Sequence, residues 1–140
     1  MTARTSRGLR LAFAVAGLLI SGYLVLLHYD SSIPLYCAGG GIIDCAGVLT
    51  SPQSVWFHLP VAAYGVLWFV VAGALAAAGL RAPEGRPGLR TATMAWLVAG
   101  AATVVFLVYD ELVVIGRICM WCSIVHVLVL TSLILAILVE

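Results

Sequence analysis

The sequence predicts an all-α integral membrane protein, a bundle of four transmembrane helices, and three observations carry that prediction. The chain has 140 residues, of which 64% are hydrophobic and only 9% charged, whereas soluble proteins average about 45–50% apolar and 25% charged. A water-soluble domain of this length could not cover so much apolar surface. Four apolar runs recur along the chain, at residues 11–27, 61–80, 91–109 and 118–139, each close to the roughly 20 residues a helix needs to cross a bilayer. Backbone groups in lipid must be satisfied within their own segment, which favours helices. The runs are too long and continuous for the short alternating strands of an outer-membrane barrel. Lysine is absent and the formal charge is +1, so a nucleic-acid partner has nothing to grip.

The first run, LAFAVAGLLISGYLVLL, predicts a helix over 11–28. Arg4, Arg7 and Arg10 precede it, as in a secretory signal. The apolar stretch is longer than a usual signal core, however, and LLHYDSSIP after it lacks a small-residue cleavage site. Further helices are expected over 59–80, 91–109 and 118–139, with residues 1–140 as a single domain. Between the second and third helices, RAPEGRPGL is rich in Pro, Gly and charge, which suits a short turn between antiparallel neighbours. Arg81, Arg86 and Arg90 lie in or beside that turn. Together with the three N-terminal arginines, they set both termini and the 81–90 turn in the cytoplasm by the positive-inside rule. Residues 29–58, the one long connection, then face outward, as does the turn near 110–117. Asp110 and Glu111 are expected there as a solvated outer connection.

All four cysteines fall on the outward side of that topology, which is the oxidising side in a bacterium. Cys37 and Cys45 lie in the long loop with three glycines between them. Their spacing makes a disulfide sterically easy, and equally easy to open and re-pair. A structural bridge and an exchanging one both fit. Cys119 and Cys122 form a Cys-x-x-Cys at the head of the last helix, where positions i and i+3 share a face and the helix N-terminus favours a thiolate. His126 sits one turn deeper on a similar face. An ionisable residue inside a membrane span is a functional candidate, although a histidine bonded to a neighbouring helix fits the sequence as well. A Cys₄ zinc site is usually built from two pairs of x₂₋₄ spacing, which the x₇ spacing of the first pair fits poorly, so no metal is expected. A relay accounts for the arrangement better. The loop pair can meet a protein thiol, and the helix pair lies where a lipid-soluble electron carrier can reach it, with thiol–disulfide exchange linking the two.

The ordered pattern Cys37-x₇-Cys45, the run CAGVLTSP with Ser51 six residues after the second cysteine, WFHLPVAAYG, and a late CMWC resembles the vitamin K epoxide reductase family in its bacterial branch. The resemblance runs from about residue 10 to the C-terminus. It implies a four-helix bundle around a quinone, menaquinone or ubiquinone, with the long loop as a lid. It also implies that Cys37 takes the attack of a thioredoxin-like or DsbA-like extracytoplasmic partner, that Cys45 bridges transiently to Cys119, and that Cys122 faces the quinone ring. Ser51 matches the family's serine near that ring. Donors to the quinone carbonyls fall at Ser54 and His126. Phe57 and Trp121 are candidate ring contacts, as is Tyr64 or Trp68 on the second helix. Because the chain stops directly after the fourth helix, the partner is expected to be a separate protein. The expected setting is the bacterial inner membrane, multi-pass and in contact with lipid, with the site facing the periplasm or exterior. The rival reading is a non-catalytic membrane scaffold whose disulfides are structural.

Overall fold

The computed structural model describes residues 1–82 and 86–139. Four long apolar helices dominate it: α1 (Ala3–Tyr29), α3 (Val61–Arg81), α4 (Pro87–Tyr109) and α5 (Met120–Val139). All four are long and apolar enough to cross a membrane, as the hydropathy pattern requires. Between α1 and α3 lie a short helix α2 (Cys45–Leu49), a 3₁₀ turn (Pro52–Ser54) and a two-residue hairpin of β1 (Val55–Trp56) and β2 (Leu59–Pro60). The tip of the expected 81–90 turn, residues 83–85, lies outside the described residues.

Packing closes the helices into a ring: α1 lies on α3 and α5, α5 on α4, and α4 on α3. Small residues set the approach of α1 to α3. Gly17 faces the Phe69 ring and Gly73 faces Ala14, because lipid-embedded helices associate through close van der Waals packing. On the α3–α4 side, the Trp68 and Trp96 indoles each donate to the other's backbone carbonyl, at 3.4 and 3.2 Å. At the end that carries both termini, Ser6 Oγ donates to Leu135 O at 3.2 Å and ties α1 to α5.

Several boundaries differ from the sequence expectation, most of them by one or two residues. Helix α1 begins eight residues earlier than expected, at Ala3, where Thr2 caps it by accepting from the Thr5 N–H. The three N-terminal arginines therefore ride on the helix. Arg7 reaches the Gly79 carbonyl at 2.9 Å, and Arg10 is buried. Long apolar stems let such cations lie along the bundle and still place their heads on polar groups. Helix α4 begins at Pro87, four residues earlier than expected, and although it ends at Tyr109 as expected the chain does not leave the helical path there. It widens into a π-type turn over Asp110–Ile115 and stops only at Gly116, whose φ of 70° takes the left-handed region that terminates helices. The expected solvated outer connection is thus corrected for Glu111. The extra turn rotates it inward, and it is only 6% exposed.

Candidate functional site

The long connection is a folded lid. Tyr23 anchors its start: its hydroxyl donates to Pro34 O at 2.8 Å and accepts from the Tyr36 N–H. Cys37 and Cys45 are joined in a disulfide, with Cα atoms 6.2 Å apart. Asp44 caps α2 by accepting from the Gly47 N–H at 2.9 Å. The same carboxylate pairs with Arg117.

Main-chain pairing fixes where that lid docks. Asp44 N donates to Ile118 O at 2.9 Å, and Ile118 N donates to Ile42 O at 2.8 Å, forming a short parallel bridge between residues 43 and 118. Because Cys45 follows Asp44 and Cys119 follows Ile118, the bridge brings one cysteine of each pair side by side. Cys45 (1% exposed), Val48 and Cys119 (0%) form one buried cluster, with Cys122 packed against it. Both Cys119 and Cys122 are free thiols. The Cys122 N–H points at Cys119 Sγ from 3.3 Å. A hydrogen bond from the Cys122 thiol, aided by these backbone donors, holds the Cys119 thiol below the usual cysteine range.

Beneath the lid, in the adjoining half of the bundle, lies a cavity of about 850 Å³. Its walls are mostly apolar and include Trp68, Phe69, Val104 and Val129. Ser51, Ser54, Cys122 and His126 also line it, and His126 is 7% exposed. The two serine hydroxyls are engaged in holding the lid. Ser51 Oγ donates to Val48 O at 2.7 Å, and Ser54 Oγ lies 2.9 and 2.7 Å from the carbonyls of Leu49 and Ser51. A hydroxyl has one proton to give, so these side chains cap the end of α2 and stiffen the rim. Trp121 and Phe57 are not among the lining residues. Trp121 packs edge-on against Tyr23, with ring centroids 5.6 Å apart, and its indole donates to Tyr36 O. Phe57 stands at the hairpin tip, 91% exposed. There Phe57 and His58 both take positive φ, 49° and 67°, as a tight two-residue hairpin demands. Behind them Trp56 turns inward between Tyr64 and Phe106.

Sequence reasoning missed two parts of this site. Asp44 was legible in principle, as an acidic residue one position ahead of a short helical run, but its ion pair with Arg117 joins residues 73 apart. Glu111 lines the cavity too; its signal was the apolar flank on both sides, FLVYDELVVI.

Four membrane-spanning helices, one disulfide within a folded lid and a second cysteine pair at the lid's dock define a multi-pass membrane thiol oxidoreductase. The chain belongs to the vitamin K epoxide reductase family, whose family model matches residues 9–137. Comparison with individual curated proteins finds no match. Family membership accords with the cysteine pattern and with the use of a quinone and a redox partner.

Proposed function

We propose that this protein oxidises a thioredoxin-like or DsbA-like partner on the outer face of a bacterial inner membrane and passes the electrons to menaquinone or ubiquinone, supporting disulfide formation in exported proteins. The observation that carries the reading is the shared buried cluster of Cys45 and Cys119, with Cys122 opening onto the cavity. A structural scaffold has no need to bury one cysteine of each pair against the other. Arginines at both ends of α1's first turns and in the 81–90 turn support cytoplasmic termini.

The chemistry follows from exchange through mixed disulfides. A partner thiolate attacks Cys37, and Cys45 leaves as the thiolate. The partner's second thiol then closes its own disulfide and releases Cys37 as a thiol. Cys45 attacks Cys119 of an oxidised Cys119–Cys122 pair and expels Cys122. Attack of Cys37 on Cys45 restores the loop disulfide and leaves Cys119 and Cys122 reduced. That end state, loop pair bonded and helix pair free, is the one observed.

A quinone suits the cavity's size and lining: about 850 Å³ of mostly apolar wall falls in the range of small-molecule sites. Bound there, a quinone supplies the two-electron, two-proton acceptor that turns the helix pair back into a disulfide. His126 would be the donor to a ring carbonyl, and Cys122 is the sulfur that opens onto the cavity. Ser51 and Ser54 shape the rim, and Trp121 ties the head of α5 to the lid at Tyr36, while Phe57 stands outside the cavity at the hairpin tip.

The test is quinone reduction by the purified protein, driven either by a reduced thioredoxin-like protein or by a small dithiol. Cys37→Ala should lose only the protein-driven reaction, and Cys122→Ala should lose both. If wild type reduces no quinone, or Cys122→Ala turns over like wild type, the scaffold reading takes its place.

A further inference from the structure

Oxidation of a dithiol by a quinone moves two protons as well as two electrons, and the cysteine relay accounts only for the electrons. Both sulfurs of the helix pair lie in or against a buried cluster, so their protons need a local acceptor. Glu111 is placed for this. It is the buried carboxyl of the π-type turn at the end of α4, its side chain faces the backbone N–H of Cys119, and it lines the same cavity as Cys122. An α-helical continuation would have advanced each residue by a regular 3.6-residue turn. The wider turn adds a residue at this point, a feature that recurs at functional sites.

We propose that Glu111 is the proton carrier of the Cys119–Cys122 pair. This rests on the thiol-to-quinone reading above. As the pair is oxidised, the ionised carboxylate takes the Cys122 proton and delivers it to one quinone oxygen. It then takes the Cys119 proton and delivers that to the other. The S–S bond forms between Cys119 and Cys122, two S–H bonds break, two electrons and two protons reach the quinone, and Glu111 ends ionised. The other titratable groups facing this space are His126 on α5, His28 on α1, Tyr64 on α3 and Asp110 beside Glu111 itself. Glu111, besides lining this space, faces the backbone N–H of Cys119.

The experiment uses the full chain in detergent, a small dithiol as reductant and a short-chain quinone as acceptor, with rates read across pH. Glu111→Gln keeps the shape and can carry no proton. It should slow turnover about 100-fold near neutrality, within the range of general acid–base effects. Wild type should rise to a plateau as the carboxylate ionises, whereas the remaining Glu111→Gln rate should go on climbing above that plateau as thiolate forms directly, and Glu111→Asp should recover part of the loss and the plateau. A Glu111→Gln rate within twofold of wild type, with the same pH profile, overturns the proposal while leaving the quinone reductase reading intact. Failure of wild type itself to reduce quinone overturns both. A second measurement does not depend on any variant folding. The chain has three glutamates, so glutamate-specific carboxyl labelling with ¹³C is nearly site-selective. A single turnover of labelled wild type should show a transient carboxylic-acid infrared band that moves with the label. A turnover without it overturns the assignment.

Discussion

Substituting Gly17 by Ala tests how the bundle shapes the cavity, and its cost can be worked from the geometry. A Cβ at position 17 would lie 2.2, 2.3 and 2.5 Å from three Phe69 ring carbons. To regain ordinary contact at 3.4 Å, the ring must retreat by roughly 1.2 Å. Phe69 is fully buried and its ring meets Trp68 edge-on at 4.9 Å, so it has no free space behind it except the cavity it lines. Overpacking of this kind costs about 1–3 kcal/mol; at 2 kcal/mol the folding equilibrium shifts about 30-fold. Unfolding in mixed detergent, followed by the fluorescence of Trp68 and its neighbours, should show the loss. Quinone reduction should show a raised KM, because the ring advances into the site. Phe69→Leu in the Gly17→Ala background should recover at least about 1 kcal/mol, the size of coupling expected of touching side chains. If Gly17→Ala is as stable as wild type, α1 and α3 do not meet through this contact, and the cavity wall has been assigned wrongly.

Other expectations concern the lid. Arg117→Ala removes the ion pair to Asp44 but leaves the main-chain bridge, so electron transfer from the loop pair should slow severalfold. Turnover driven by a small dithiol acting on the helix pair should change little; rapid-quench trapping of thiols separates the two. Ser54→Ala should cost about 1 kcal/mol of lid stability and leave the quinone KM within about twofold, since its hydroxyl is engaged by backbone carbonyls. Asp44 has its own pH signature. The Gly47 N–H, and after it Arg117, hold the carboxyl below its usual range. Its folded value is depressed, so its contribution to docking is present above the unfolded value and is lost as pH falls through the folded one. Modification of Cys119 by a dipyridyl disulfide, which reacts with thiols in acid, should therefore accelerate only below the ordinary carboxylate range, and Asp44→Asn should abolish that acid dependence.

The four spans were legible because lipid imposes a length and a composition on any helix that crosses it, and the runs at 11–27, 61–80, 91–109 and 118–139 satisfy both. Helix ends were less legible. Arginine is a good helix former with a long apolar stem, so α1 continues outward through Arg10, Arg7 and Arg4 although hydropathy falls. The family pattern of cysteines pointed to the proposed chemistry, and the structure packs Cys45, Cys119 and Cys122 into one cluster. What stayed hidden depends on contacts remote in sequence. The pairing of Asp44 with Ile118 and Arg117 cannot be read from either segment alone. Ser54 offers a hydroxyl in sequence, yet the 3₁₀ turn directs it to Leu49 and Ser51. Phe57 reads as an apolar candidate for the site, but the hairpin's positive-φ turn sends it outward. Glu111 reads as solvated because acids usually are, and only the π-type turn makes it a wall of the cavity.

The central claim is that Cys45 hands electrons directly to Cys119 at the lid's dock. The most direct test is a protein carrying Cys37→Ser and Cys122→Ser, which leaves one cysteine of each pair. Mild oxidation, followed by peptide mapping, should find Cys45 and Cys119 joined in high yield in the folded protein. Arg117→Ala in the same background should lower that yield. If the two sulfurs stay free, or pair only between molecules, the lid does not deliver Cys45 to Cys119 and the relay is contradicted.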